Sequence, residues 1–278
     1  MNAPQSPTQL EPLLLEERSP GGMVKLTLNR PAQFNSLSEE MLAALQQAFD
    51  RIAADKAARV VVIAAAGKAF CAGHDLKQMK SSPRQDYYEK LFADCARLML
   101  TIQRLPQPVI ARVHGIATAA GCQLVATCDL AVASEGVRFG VNGIDVGLFC
   151  SSPSVALARN VGRKQAFEML VTGEFIDAAT AKARGLVNRV VAADQLDGEV
   201  KRLADAIIAK PAVAIGMGKS FFYRQMEMGV DAAYQLAGQT MACNMIDEVA
   251  QEGVAAFMEK RRPSWAPQSA EAGPPKAG

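Results

Sequence analysis

At 278 residues, half of them hydrophobic, the chain is long enough to bury one sizeable core, with or without an appendage. Lys and Arg total 30 against 28 Asp and Glu; the formal net charge of +2 gives no globally basic surface for nucleic acid or an anionic membrane, so any anion site is local. Six scattered Cys without a CxxC pair argue against a structural zinc site or a disulfide framework, point to a reducing compartment, and imply no metal or redox cofactor.

Residues 1–12, with Pro4, Pro7 and Pro12, and residues 266–278, with Pro267, Pro274 and Pro275, are expected to be disordered. No apolar stretch is long enough to span a bilayer, and the first residues lack a signal-type apolar core. The expectation is therefore a cytoplasmic protein without a membrane partner. Alternating strand and helix patterns predict an α/β core over residues 13–200, followed by consecutive helices over residues 201–265. Residues 23–28 alternate as a strand, and Ser38, followed by Glu39 and Glu40, caps a helix whose apolar face is Met41, Leu42, Leu45, Phe49 and Ile52. The β-branched run 60–64 reads as a buried strand. A helix over residues 83–104 puts Leu91, Cys95, Leu98 and Ile102 on one face, and Pro106 and Pro108 separate it from a strand ending at Val113. Leu130-Ala131-Val132-Ala133 is another buried strand. From Pro153 the pattern turns mainly helical, interrupted by a strand over residues 186–191.

Two strand-to-turn stretches carry the chemistry. Residues 113–129, VHGIATAAGCQLVATCD, lead from a strand through a small-residue loop into a short helix. Exposed amides at such a start bind anions, and aimed at a ligand carbonyl they stabilise a developing oxyanion by roughly 2.7–4 kcal/mol per donor. Small residues there equally allow close packing of elements. Upstream, residues 64–80, AAAGKAFCAGHDLKQMK, again run from a strand into a glycine-bearing turn. Gly216-Met217-Gly218-Lys219-Ser220 ends like a phosphate-binding loop, but Val213 stands at the required glycine and a helical run precedes it. No GxGxxG or GxSxG occurs, so a Rossmann site or a serine hydrolase has no support.

GKAFCAGHDL followed by HGIATAAGCQLVATCD closely resembles the paired oxyanion-hole motifs of the crotonase, or enoyl-CoA hydratase/isomerase, superfamily. The resemblance runs from about residue 23 to 265, through Leu28-Asn29-Arg30-Pro31, Phe139-Gly140, Thr172-Gly173, Ala183-Arg184-Gly185-Leu186-Val187 and Phe257-Met258-Glu259-Lys260-Arg261. It implies an α/β fold, a ClpP-like spiral of ββα units, with a C-terminal helical region that builds a homotrimer or a dimer of trimers. It also implies an acyl-CoA substrate with no separate cofactor, coenzyme A being part of the substrate. The backbone N–H groups of His74 and Ala120 would form the oxyanion hole. Contacts to coenzyme A would fall on Ala32, Gln33, Phe34, Ala72, Asp75, Leu76 and Lys77, and, from an adjacent subunit, on Phe257 and Lys260. The His74 imidazole is open to two roles, a proton carrier beside the acyl group or a turn histidine bonded to backbone.

Two departures bear on the reaction. Hydratases of the family use two glutamates as general acid and base, one to activate water and one to deliver the α-proton. One directly follows the Gly-Cys pair, where this chain has Gln123; the other follows the Phe-Gly pair, where this chain has Gly143. Gln123 can hydrogen-bond water but cannot take its proton, and Gly143 has no side chain. Losing one positioned acid/base costs about 10²–10⁴ in rate, so losing both leaves little standard hydration. With the run over residues 139–158 this is most similar to the third branch of the animal enoyl-CoA hydratase domain-containing paralogues. Asp145 and Ser151, with neighbouring Cys150 and Ser152, are candidates to supply chemistry, against plainer roles as a loop residue and a helix N-cap. Three functions stay open: an enolate-forming enzyme using Asp145 or His74, a weak enoyl-CoA hydratase of fatty-acid metabolism with water held by Gln123, and a non-catalytic acyl-CoA-binding subunit.

Overall fold

The computed structural model describes residues 11–266; the segments expected to be disordered lie almost wholly outside them. Two sheets form the core. The larger one contains β1 (Leu14–Arg18), β2 (Met23–Leu28), β3 (Val60–Ala65), β5 (Val109–Val113), β7 (Leu130–Ser134) and β10 (Arg189–Val191) in that order, parallel except for the β1–β2 pair. The smaller one contains β4 (Ala69–Cys71), β6 (Ile116–Thr118), β8 (Arg138–Gly140) and β9 (Ile176–Asp177), with only β8–β9 antiparallel. Successive strand pairs β3–β4, β5–β6 and β7–β8 place one strand in each sheet before the chain returns through helices. This is the spiral of ββα units that the resemblance implies.

The helices between are α1 (Glu39–Ala54), α2 (Leu76–Ser81), α3 (Gln85–Arg104), α4 (Ala120–Thr127), α5 (Ser151–Asn160), α6 (Arg163–Thr172) and α7 (Ala178–Ala183). Four more follow: α8 (Leu196–Ile208), α9 (Ala212–Gln225), α10 (Val230–Met245) and α11 (Glu248–Met258). All six residues of β3 are buried, as a central parallel strand covered on both faces requires. Ser38 caps α1 by accepting from the Met41 amide at 3.2 Å, and Phe49 and Ile52 on its apolar face are fully buried. The expected strand over residues 186–191 is shorter, beginning at Arg189, because Leu186 and Val187 pack as a buried connection after α7.

The phosphate-loop-like residues 216–220 lie inside α9, where Lys219 is buried. Its Nζ donates to the carbonyls of Ile102 (2.8 Å) and Gln107 (3.0 Å) and to Asp129 Oδ2 (2.6 Å). Tyr223, one turn on, donates to Asp129 Oδ1 at 2.8 Å. Ile102 is in the last turn of α3, where a helix leaves carbonyls without intrahelical partners and favours a cation. The lysine therefore ties α9 to the end of α3, and its partner Asp129, with Tyr223, lines the cavity described below.

Candidate active site

The two glycine-bearing turns meet because their strands pair. β4 and β6 are parallel neighbours, so the turns that leave them at residues 72–75 and 119–120 lie side by side. Their approach depends on missing side chains: a Cβ at Gly73 would lie 2.9 Å from the Ala119 Cβ and 3.3 Å from the Ala120 nitrogen. One at Gly121 would lie 2.1 Å from the Cys71 carbonyl oxygen. Ala119 adopts φ 49°, ψ −121°, a strained conformation for a residue with a Cβ, and its amide is held by the Gly140 carbonyl at 2.9 Å. That turn starts α4 with its amides towards the Gly73 loop.

Among the described residues, neither the His74 nor the Ala120 amide donates to a protein acceptor. The Ala120 amide is one of the first-turn donors that a helix leaves unpaired, at the positive end of its dipole. Beside α4 lies a cavity of about 600 Å³, bounded by α3, α4, α5 and α9 and lined by Met99, Gln123, Ala126, Val155, Phe222 and Tyr223 among others. Gln123 is 5% exposed, and its Oε1 is buried with no partner. The position expected of the second glutamate is closed: the Gly143 amide donates to Cys150 Sγ at 3.3 Å, and both that sulfur and the Leu148 carbonyl oxygen lie against the place a Cβ would take.

The His74 ring stands edge-on to Phe92 of α3, centroids 5.5 Å apart, with Nδ1 buried and unpartnered. Burial pushes its pKa below the ordinary imidazole value, which the backbone of Leu37 partly offsets, so the ring is neutral at pH 7. Burial pushes the Cys71 and Cys122 thiols up to about 12 and also raises Cys150, so none is a thiolate nucleophile at neutral pH.

Ala32, Gln33, Phe34, Leu76 and Lys77 are exposed, and Ala72 and Asp75 are half-buried. The Ala72 amide donates to the Phe34 carbonyl at 3.1 Å, so the loop over residues 31–34 and the turn over residues 72–75 share one rim. Phe257 lies in the last turn of α11 and Lys260 two residues beyond its end, both exposed. Asp145 is exposed in the 3-10 turn Asn142–Val146, with its carboxylate against the Gly173 turn rather than lining the cavity. Ser151 is exposed as the first residue of α5. The expected serine cap is corrected: Cys150 occupies the N-cap position without a side-chain bond, and both Ser151 and Ser152 are already helical. Ser152 lines the cavity.

The motifs do not announce the Asp129–Lys219–Tyr223 tie or the buried Asn35, whose side-chain amide donates to the carbonyls of Ala66 (2.7 Å) and Ala69 (2.8 Å). A lysine and a tyrosine four residues apart on one helix face were the available signal for the first, and an Asn in a turn after a 3-10 stretch for the second.

Residues 18–268 match the enoyl-CoA hydratase/isomerase family model. The chain is 46% identical over 244 residues to enoyl-CoA hydratase domain-containing protein 3, mitochondrial, of Xenopus laevis, covering 88% of this chain and 83% of that protein. It is 42% identical to the protein of that name from Homo sapiens, covering 92% and 84%. The crystal structure of an enoyl-CoA hydratase from Mycobacterium smegmatis is 65% identical and superposes with a TM-score of 0.91, covering 92% of this chain and 99% of that one. The human protein's crystal structure superposes with a TM-score of 0.89, covering 91% and 100%. The relatives named mitochondrial overturn the cytoplasmic expectation, which rested on the lack of a membrane span and of a signal-type core, neither of which specifies a compartment. The resemblance to the third animal paralogue is borne out by the same relatives. The spiral of ββα units, the two facing turns and the family match over nearly the whole chain lead to one assignment: this chain belongs to the enoyl-CoA hydratase/isomerase, or crotonase, family.

Proposed function

We propose that the protein binds an acyl-CoA thioester with its carbonyl oxygen between the His74 and Ala120 amides and stabilises the thioester enolate, without the acid/base pair of standard hydration. The observation that carries this reading is the pair of facing turns, each with a main-chain amide that has no acceptor among the described residues; Gln123, on the helix that follows the second turn, lines the cavity, and Gly143 stands at the other glutamate position. Each amide contributes roughly 2.7–4 kcal/mol to a developing oxyanion. The cavity is of the size that small-molecule sites use. Its largely apolar wall suits an acyl chain, and the rim formed by Ala32, Gln33, Phe34, Ala72, Leu76 and Lys77 suits the coenzyme A portion. No separate cofactor is needed. The exposed Tyr234, Met241, Phe257 and Met258 on the last two helices, with Ile246 between them, support assembly into the family's trimer.

Gln123 favours a second reading. Its buried Oε1 can accept from a water over the acyl group, giving weak hydration in which the water oxygen bonds the β-carbon and the proton it loses passes to the α-carbon of the enolate without a protein base. Crotonyl-CoA hydration, followed by loss of the enoyl thioester absorbance and run beside calorimetric titration with a short acyl-CoA, tests both. Binding without hydration is the expected result. Slow hydration abolished by Gln123→Ala establishes the second reading, and absence of binding sinks both.

A further inference from the structure

We propose that Arg30 and Asn35 are positioning residues that aim the His74 amide; the inference rests on the oxyanion reading above and goes beyond it. The orientation of that amide follows from one bridge. Leu37 pairs with His74 in parallel fashion: the Leu37 amide donates to the Gly73 carbonyl (2.8 Å), and its carbonyl accepts from the Asp75 amide (3.4 Å). In a parallel pairing one residue bonds the two neighbours of the residue opposite, whose own N–H and C=O face the other way. Leu37 therefore turns the His74 amide outward, away from protein acceptors.

Leu37 is a template only if its own loop is held, and three groups hold it. Phe34 and Asn35 are both left-handed, at φ 50° and 54°, a conformation that residues with a Cβ rarely adopt in succession. Asn35, fully buried, locks it: Oδ1 accepts from the Arg30 amide at 2.9 Å while Nδ2 reaches the carbonyls of Ala66 and Ala69, which close the turn between β3 and β4, the strand leading into the Gly73 turn. The Arg30 guanidinium then spans the two turns, donating to the Ser36 carbonyl at 3.2 Å and to Asp75 Oδ2 at 3.1 Å. The remaining Asp75 oxygen accepts from the amides of Lys77 and Gln78 and caps α2. Burial raises the Asp75 pKa, but the Gln78 amide and the Arg30 guanidinium outweigh it and hold the carboxyl below its ordinary range, so the brace is charged at neutral pH. Asp75 thus braces the turn from inside the protein.

The test reads carbonyl polarisation directly. A conjugated enoyl-CoA, such as an aryl-acryloyl thioester, absorbs further to the red when its carbonyl oxygen is pulled by hydrogen-bond donors. The intact protein is expected to shift the bound probe. Arg30→Met is expected to remove about half of that shift or more while probe binding stays within about threefold, because the coenzyme A rim and the acyl cavity are left in place. Arg30→Lys, which keeps a charge for Asp75, is expected to recover part of the shift. Asn35→Asp is expected to lose it as well; should that variant fail to fold, the Arg30 pair decides. A folded Arg30→Met protein with lowered thermal stability but the full shift overturns the positioning role. An intact protein that binds the probe with no shift overturns the oxyanion reading and the clamp with it.

Discussion

The Cys150 thiol and the Gly143 backbone are in contact at the position where the family resemblance puts the second glutamate of a hydratase. A Cβ at position 143 would lie 2.8 Å from that sulfur and 2.4 Å from the Leu148 carbonyl oxygen. The missing carboxylate is therefore not a vacant place, because the following loop has folded over it. Gly143→Glu, alone or with Gln123→Glu, is expected to destabilise the protein by about 1–3 kcal/mol through overpacking and to leave hydration unrestored. Thermal unfolding and crotonyl-CoA turnover of the two variants check this. An ordinary hydratase rate in the double variant would show that the loop yields.

Gly121 faces the Cys71 carbonyl at a distance no Cβ tolerates. Gly121→Ala is expected to push α4 off the β4 turn, lowering stability by about 1–3 kcal/mol or more and abolishing thioester binding, since the Ala120 amide moves with the helix. Gly136, where an added Cβ meets nothing within 4 Å, is the control: Gly136→Ala is expected to bind normally. Calorimetric titration of both variants with acyl-CoA decides.

His74 predicts a pH dependence with a definite sign. Its folded pKa lies below the ordinary imidazole value, so on acidification the unfolded chain takes up its proton first. Stability is fully present above the unfolded pKa and is lost as the pH falls from there towards the folded pKa, with a slope of at most about 1.4 kcal/mol per pH unit. Urea denaturation between pH 8 and pH 5, limits set by about one and a half units on either side of that pKa, is expected to show the loss, and His74→Gln is expected to flatten it. An unchanged slope in the variant would assign the dependence to another group.

Lys219 and Asp129 are buried together, 2.6 Å apart. Lys219→Met leaves the carboxylate with the Val109 amide and the Tyr223 hydroxyl and is expected to cost about 3–5 kcal/mol. Adding Asp129→Asn is expected to recover a substantial part of this, because the penalty comes from the unpaired charge. Chemical denaturation of the single and double variants measures it. Equal loss in both would mean that packing, rather than charge, holds α9 in place.

Composition, period and motif determined a great deal on their own. The strands 23–28, 60–64 and 130–133, the Ser38-capped helix and the two glycine turns follow from local pattern. So does the absence of carboxylates at positions 123 and 143, since local propensity and residue identity act over a few neighbours. What only the tertiary structure decided is how distant segments use those residues: Cys150 folded over Gly143, the His74 ring against Phe92, Lys219 tied to the end of α3 rather than to a phosphate, and Leu37 laid beside His74. Each depends on side-chain direction and on contacts made only when the sheets and helices pack, and hydrophobic pattern alone carries no record of either.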